Sequence, residues 1–168
     1  MLISVNRLGN LDFRRLMDLY AEGNRANAEA LYPDLAFNQG ILSAESDFYG
    51  YLQEVFFQTK GAFYYIWEEN GVYLSALRLE PYRDGLLLEA LETHPDYRRM
   101  GYARKLIKAV LARLAEQERQ SVYSHIHKRN TASLKTHLAC GFQRISEQAV
   151  YIDGSVTNSS CTMCFVFQ

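Results

Sequence analysis

Apolar positions recur along the chain with two periods, and the period assigns each stretch. Residues 2–8 read as a first strand. Residues 11–31 carry a helical pattern, broken near Gly23 and ended by Pro33. A second helix is predicted over 46–58, where Phe48, Tyr51, Leu52, Val55 and Phe56 fall on one face. Residues 62–68 and 72–79 are aromatic and β-prone. Asn70-Gly71 between them predicts a hairpin, because both residues tolerate positive φ. A strand over 86–93 follows the turn at Asp84-Gly85. An amphipathic helix over 103–115 comes next, with Ala103, Leu106, Ile107, Val110, Leu111 and Leu114 as its buried stripe. Residues 121–127 read as a strand and 131–139 as a short helix. Residues 148–152 and 161–167 read as a closing hairpin around Asp153-Gly154. This order of strands and helices implies a mixed α/β sheet with helices covering its faces.

Between the strand over 86–93 and the helix over 103–115 lies Arg98-Arg99-Met100-Gly101-Tyr102-Ala103. A turn there directs several backbone N–H groups at one point beside the positive end of the helix dipole, a site suited to a phosphate-bearing ligand. Arg98, Arg99, Arg104, Lys105 and Lys108 crowd the helix start, while Glu116 and Glu118 lie toward its end. That order is unfavourable for an isolated helix. A bound polyphosphate reverses the sign of the penalty; a solvated charged face is the competing reading.

Composition narrows the partners. With 168 residues and a net charge of −1, the chain reads as one domain over 1–168 that does not bind nucleic acid non-specifically. No apolar run reaches membrane-spanning length, and residues 1–5 do not open a signal peptide, so a cytoplasmic protein is expected. Cys140, Cys161 and Cys164 are read as reduced. Cys161 and Cys164 match C-x-x-C, but residues three apart on a strand face opposite sides. His125 and His127 share a strand face without a third ligand nearby in sequence, so no metal is assigned.

The run from Leu91 to Ala103 resembles the acyl-CoA-binding motif of the GNAT acetyltransferase superfamily, whose pattern Gln/Arg-x-x-Gly-x-Gly/Ala is met by Arg98, Gly101 and Ala103. Asn130, Ser133 and His137 followed by Gly141-Phe142 resemble the family's later segment, in which Asn opens a helix that ends in Gly-Phe. The resemblance spans residues 86–142. It implies a mixed, mostly antiparallel sheet of about seven strands flanked by about four helices. It also implies acetyl-CoA as acyl donor. Backbone amides around Arg99, Met100, Gly101, Tyr102, Ala103 and Arg104 would bind the pyrophosphate. Leu91, Glu92 and Thr93 would hold the pantetheine arm on a splayed strand, and Asn130 and Ser133 would contact it from the later helix. Asn130 as a plain N-cap is an equal alternative.

Acyl transfer to an amine needs a neutral acceptor, aligned reactants and a proton for the leaving thiolate. Glu89 is the base candidate, on the expectation that Glu89, Leu91 and Thr93 share a strand face, with Glu92 opposite as second choice. Many family members place a Tyr seven residues after the Asn, where this chain has His137, so His137 becomes the candidate acid. Tyr102, Tyr123 and Tyr151 are fallbacks. Residues 21–58 supply aromatics (Tyr32, Phe37, Phe48, Tyr49, Tyr51, Phe56, Phe57) and carboxylates (Glu22, Glu29, Asp34, Glu45, Asp47) for a cation-attracting acceptor pocket or, alternatively, for core and solvated face. The leading reading is an N-acetyltransferase acting on a small-molecule or peptide amine. A non-catalytic acyl-CoA sensor on the same fold and a cofactor-free partner-binding domain compete with it. The aromatic strands at either end offer a surface for a homodimer.

Overall fold

The computed structural model describes residues 1–117 and 121–167; Glu118 therefore lies outside the described residues. In chain order the elements are β1 (Leu2–Val5), α1 (Phe13–Leu19), α2 (Ala21–Leu31), α3 (Phe37–Glu54), β2 (Phe63–Glu69), β3 (Val72–Tyr82) and β4 (Gly85–Thr93). They continue with α4 (Tyr102–Ala115), β5 (Ser121–His127), α5 (Thr131–Ala139), β6 (Gln143–Ser146), β7 (Ala149–Val150), β8 (Val156–Thr157) and β9 (Ser160–Val166). Seven strands form one sheet in the order β1-β2-β3-β4-β5-β9-β6, and β7 and β8 form a separate ribbon. β4 and β5 run parallel, while the other neighbours in the large sheet are antiparallel. The expected mixed, mostly antiparallel sheet is what the chain forms.

Each face of the sheet has its own apolar layer. The stripe Leu106, Ile107, Val110, Leu111 and Leu114 of α4 buries itself against Leu77, Leu79, Leu86, Leu88, Val122 and Met163. On the opposite face, Leu16, Met17 and Leu19 of α1 with Leu52 and Phe56 cover Tyr64, Ile66 and Ala76. Cys161 joins the α4-side core and Cys164 packs with Tyr82, Leu87 and Tyr123, so the two thiols do face apart.

Three expectations are corrected. The first helical stretch breaks at Tyr20, not near Gly23. Tyr20 leaves helical geometry (φ −89°, ψ 10°) and turns its hydroxyl to the Ala90 carbonyl, so that this stretch forms two of the five α-helices among the described residues. The next helix begins at Phe37 rather than residue 46. In residues 37–45 the large apolar side chains Phe37 and Leu42 are exposed, and what carries the segment is tertiary packing of small residues: Gly40 and Ala44 are buried, Gly40 against Ala28 of α2. Residues 148–152 do not pair with 161–167. The Asp153-Gly154 turn closes locally, pairing Val150 with Val156, and β6 takes the place beside β9. β6 (Gln-Arg-Ile-Ser) is exposed throughout, so no alternation marked it as a strand.

The contact of β4 with β5 starts at Gly85, where a Cβ would lie 2.1 Å from the Ser121 carbonyl oxygen. Backbone cannot yield there as a side-chain tip can. Gly85→Ala is expected to cost about 1–3 kcal/mol, a fall in Tm of roughly 3–10 °C for a chain this size, read by thermal denaturation.

Candidate active site

β4 pairs with β5 only through Leu86–Val122, Leu87–Tyr123 and Leu88–Ser124. Beyond Ser124, β5 continues with β9 through His125, Ile126 and His127, and β4 departs. The departure coincides with a bulge. The β3–β4 register jumps between Ala76 and Arg78, and Ala90 sits at φ +49°. A residue with a Cβ in that region costs about 1–2 kcal/mol. Two phenols offset the cost: Tyr64 donates to the Tyr20 hydroxyl at 2.8 Å, and Tyr20 donates to the Ala90 carbonyl at 2.7 Å. Burial raises both phenol pKa values above their ordinary range, so the chain stays protonated and able to donate.

The bulge also resets which side chains face together. Glu89 lies opposite Arg78 and Glu92 opposite Ala76, and Arg78 and Ala76 are on one face of β3. Glu89 and Glu92 therefore share the α1–α3 face, while Leu91 packs against the α4-side core. The simple alternation that grouped Glu89 with Leu91 and Thr93, and set Glu92 opposite, does not survive the extra residue.

Opposite the bulge, the turn before α4 places Arg99 at φ +62° and Gly101 at φ +85°. No side chain caps α4, so the amides of its first turn point outward unsatisfied. They open into a groove of about 490 Å³ lined by Leu91, Glu92, Thr93, Arg98, Arg99, Gly101, Tyr102, Ala103 and Arg104, with Asn130, Ser133 and neighbouring residues of α5 forming its far wall. Met100 does not line it; its side chain is exposed. Arg98 is occupied by Glu22 and, at 3.2 Å, Glu92, which leaves Arg99 and Arg104 as the exposed cations of the turn, with Lys135 of α5 on the facing wall. Lys105 turns away to Glu69 at 2.8 Å and lies 4.4 Å from the Trp67 ring centre. Tyr102 also donates to Glu69, so this cluster ties the start of α4 to the β2–β3 hairpin and holds the Glu69 carboxyl down at about 2, chiefly through the Lys105 hydrogen bond.

A smaller cavity of about 170 Å³ fills the gap between β4 and β5. It shares Leu91, Asn130 and Ser133 with the groove and reaches Glu89, His125 and His137. Asn130 caps α5, its side chain accepting from the Ser133 amide at 3.0 Å, so the capping reading of this residue holds. His137 is buried, edge-on to Phe142, with Nδ1 2.9 Å from the Ser133 carbonyl. A carbonyl only accepts, so Nδ1 carries the proton. Nε2, buried without a partner, is then a bare lone pair. Burial lowers the imidazole pKa and keeps it neutral. His137 is thus not placed to deliver a proton. Among the fallbacks, Tyr123 donates to Asp84 and Tyr102 to Glu69, both away from the gap; Tyr151 stacks edge-on against His125 beside it.

Three of the seven aromatics named for residues 21–58 surround a buried guanidinium. Phe48, Tyr51 and Phe56 surround Arg78 at 4.9–5.9 Å, and Tyr49 packs on Phe13. Arg78 reaches Glu89 at 3.6 Å. Two positions along β3, Glu80 is 9 % exposed and faces the same cluster. Burial, then the neighbouring Glu89 carboxyl, push the Glu80 carboxyl up to about 7, against the pull of Arg78. The strand predicted over 72–79 stopped one residue short of Glu80. Its phase with Ala76 and Arg78 was the available signal.

The acetyltransferase (GNAT) family model matches residues 13–142. The chain belongs to the GNAT family. No curated protein matches it in sequence. Among solved structures it is similar to the PaiA N-acetyltransferase of Thermoplasma acidophilum in complex with coenzyme A (11 % identity, 99 % of each chain, TM-score 0.67). An acetyltransferase of Streptococcus agalactiae (19 %, 99 % and 98 %, TM-score 0.65) is similar too. So is the ribosomal-protein-S18-alanine N-acetyltransferase of Escherichia coli (16 %, 99 % and 94 %, TM-score 0.61). At these identities the likeness shows the GNAT fold.

Two outcomes follow for this GNAT site. Tyr20→Phe leaves the Ala90 carbonyl without its phenol donor and should cost about 1–3 kcal/mol in urea denaturation. Glu80, whose folded-state pKa is raised, contributes most below its ordinary value of 4.5, and that contribution is lost as pH rises to about 7. Glu80→Gln should therefore gain on the wild type by about 1–2 kcal/mol between pH 4.5 and pH 8, the full shift being discounted because Glu89 shares the cluster. A pH-independent difference between the two proteins would refute this.

Proposed function

We propose that this GNAT protein is an N-acetyltransferase that passes acetyl from acetyl-CoA to a primary amine by direct attack. The observation that carries the reading is the continuity of two cavities: a groove headed by the uncapped α4 amides, and a gap between β4 and β5 that leads from it to a carboxylate. The chain fits the cofactor. Positive φ at Arg99 and Gly101 turns the backbone N–H groups of the 99–104 segment into one concavity, and Arg99 and Arg104 add two cations where a pyrophosphate brings negative charge. When bound, acetyl-CoA supplies an acyl group activated as a thioester.

The residues divide the remaining work. Leu91 to Thr93 present strand backbone that β5 does not pair, suited to the amides of an extended pantetheine arm. Asn130 and Ser133 border the same passage. Glu89, at the end of the gap, takes a proton from the acceptor ammonium and so exposes the nitrogen lone pair. Arg78, 3.6 Å away, orients Glu89. The acceptor enters from the α1–α3 face, on which Glu89 stands.

Acetyl-CoA at a hundredfold over its Kd should add about 2.7 kcal/mol, a Tm rise of roughly 5–10 °C that ATP does not reproduce. The double variant Arg99→Glu/Arg104→Glu should lose that rise while folding normally. Release of CoA thiol would then be followed with spermidine, lysine, tyramine and an alanine-ended peptide. Glu89→Gln should slow the productive amine by about 10²–10⁴-fold with the thermal shift intact. Binding without turnover of any amine would return the sensor reading; no shift at millimolar acetyl-CoA would overturn the cofactor.

A further inference from the structure

Glu80 is a buried carboxylate with no place in the mechanism above, and it stands beside the one carboxylate that has such a place. In the β3–β4 register Arg78 faces Glu89 and Glu80 faces Leu87, so Glu80 and Glu89 are diagonal neighbours on the same face. Arg78, one step along that face, is the cation next to them, held by the Phe48, Tyr51 and Phe56 rings. Its Nε and Nη1 are buried without hydrogen-bond partners, and its contact with Glu89 is a long 3.6 Å. One guanidinium so placed compensates one carboxylate. Two ionised carboxylates beside it would leave a buried negative charge uncompensated, which is costly.

We propose that Glu80 and Glu89 act as one proton-sharing pair, with Glu89 receiving the acceptor's proton and Glu80 storing it. The catalytic half of this proposal rests on the amine-acetylation reading. The acceptor enters as R–NH3⁺ at the doubly ionised pair, the form populated as pH rises above about 7, and gives one proton to Glu89, which hands it to the empty Glu80 carboxylate. The freed lone pair forms the N–C bond while the C–S bond breaks with its electron pair on sulfur. The second nitrogen proton goes to the thiolate, and the stored proton returns to solvent by way of Glu89. Glu80 never touches substrate, so it is a positioning residue. The titratable and charged groups around the pair are Arg78 on β3, Tyr51 on α3 and His125 on β5. Burial of the pair favours one retained proton near neutrality.

Carboxyl ¹³C NMR of glutamate-labelled protein tests the pair without any acceptor. One carboxyl should titrate near neutral pH in the wild type and disappear in Glu80→Gln. In Glu89→Gln it should fall by at least about one pH unit, because its charged neighbour is gone. Ordinary titration of both carboxyls, or a Glu80 midpoint indifferent to Glu89→Gln, would overturn the pair. With the amine found to be acetylated, the acidic limb of kcat should move to lower pH in Glu80→Gln, and the plateau should drop about tenfold or more. A drop at every pH with the limb unmoved would mean a structural role only and would overturn the storage step. Absence of turnover with every amine would sink the acetylation reading and with it the storage step, and the NMR titrations would still decide the pair.

Discussion

The parting of β4 from β5 after Leu88 is the constraint from which the rest of the site follows. Parallel neighbours in the middle of a sheet normally stay paired, because an unpaired buried amide or carbonyl costs free energy. Here the pairing is given up at a defined residue, and the bulge at Ala90 is where the strand changes course. A positive φ at alanine and a lost ladder are both unfavourable. They are held by a hydrogen-bonded pair of phenols that reaches from the break between α1 and α2 through β2. The early helices thus do more than cover a sheet face, since their junction supplies the donor that steadies the gap.

The gap orders the electrostatics around it. On the α4 side, cations and free amides gather at a helix start that no side chain caps, an arrangement that favours an anion. On the α1–α3 side, the extra residue of the bulge brings Glu89 and Glu92 to the same face, with Glu80 diagonal to the first. A guanidinium sunk among three aromatic rings stands between that acidic side and the core. The two sides meet through a passage bordered by Leu91, Asn130 and Ser133. In the proposed reaction, a negatively charged donor and a cationic acceptor would approach from opposite faces of one sheet, which separates their electrostatic requirements.

His137 shows how a local pattern and its surroundings can disagree. Its spacing from Asn130 suggested an acid. Yet one turn back along α5 the Ser133 carbonyl takes the Nδ1 proton, and Phe142 closes over the ring. What remains is a neutral imidazole with an unsatisfied lone pair, a group able to accept a hydrogen bond and unable to give one.

The sequence by itself determined the elements whose periodicity is strong and local: the α4 stripe, the Asn70-Gly71 hairpin and the strands at the centre of the sheet. It also determined the turn at the head of the groove, because Arg98 to Ala103 encode it in adjacent residues. Only the tertiary structure decided what depends on partners distant in the chain. The start of α3, whose large apolar residues Phe37 and Leu42 are exposed, is helical because α2 packs against its small residues, and exposed β6 is a strand because β9 offers it an edge. Glu89 and Glu92 share a face because Ala90 is bulged against β3. Glu80 became visible as a member of the site through burial and through a neighbour across the sheet. Periodicity reports what a residue does every second or every third to fourth position; a bulge shifts that count by one, and the phenols that hold this bulge lie 70 and 26 residues before Ala90 in the chain.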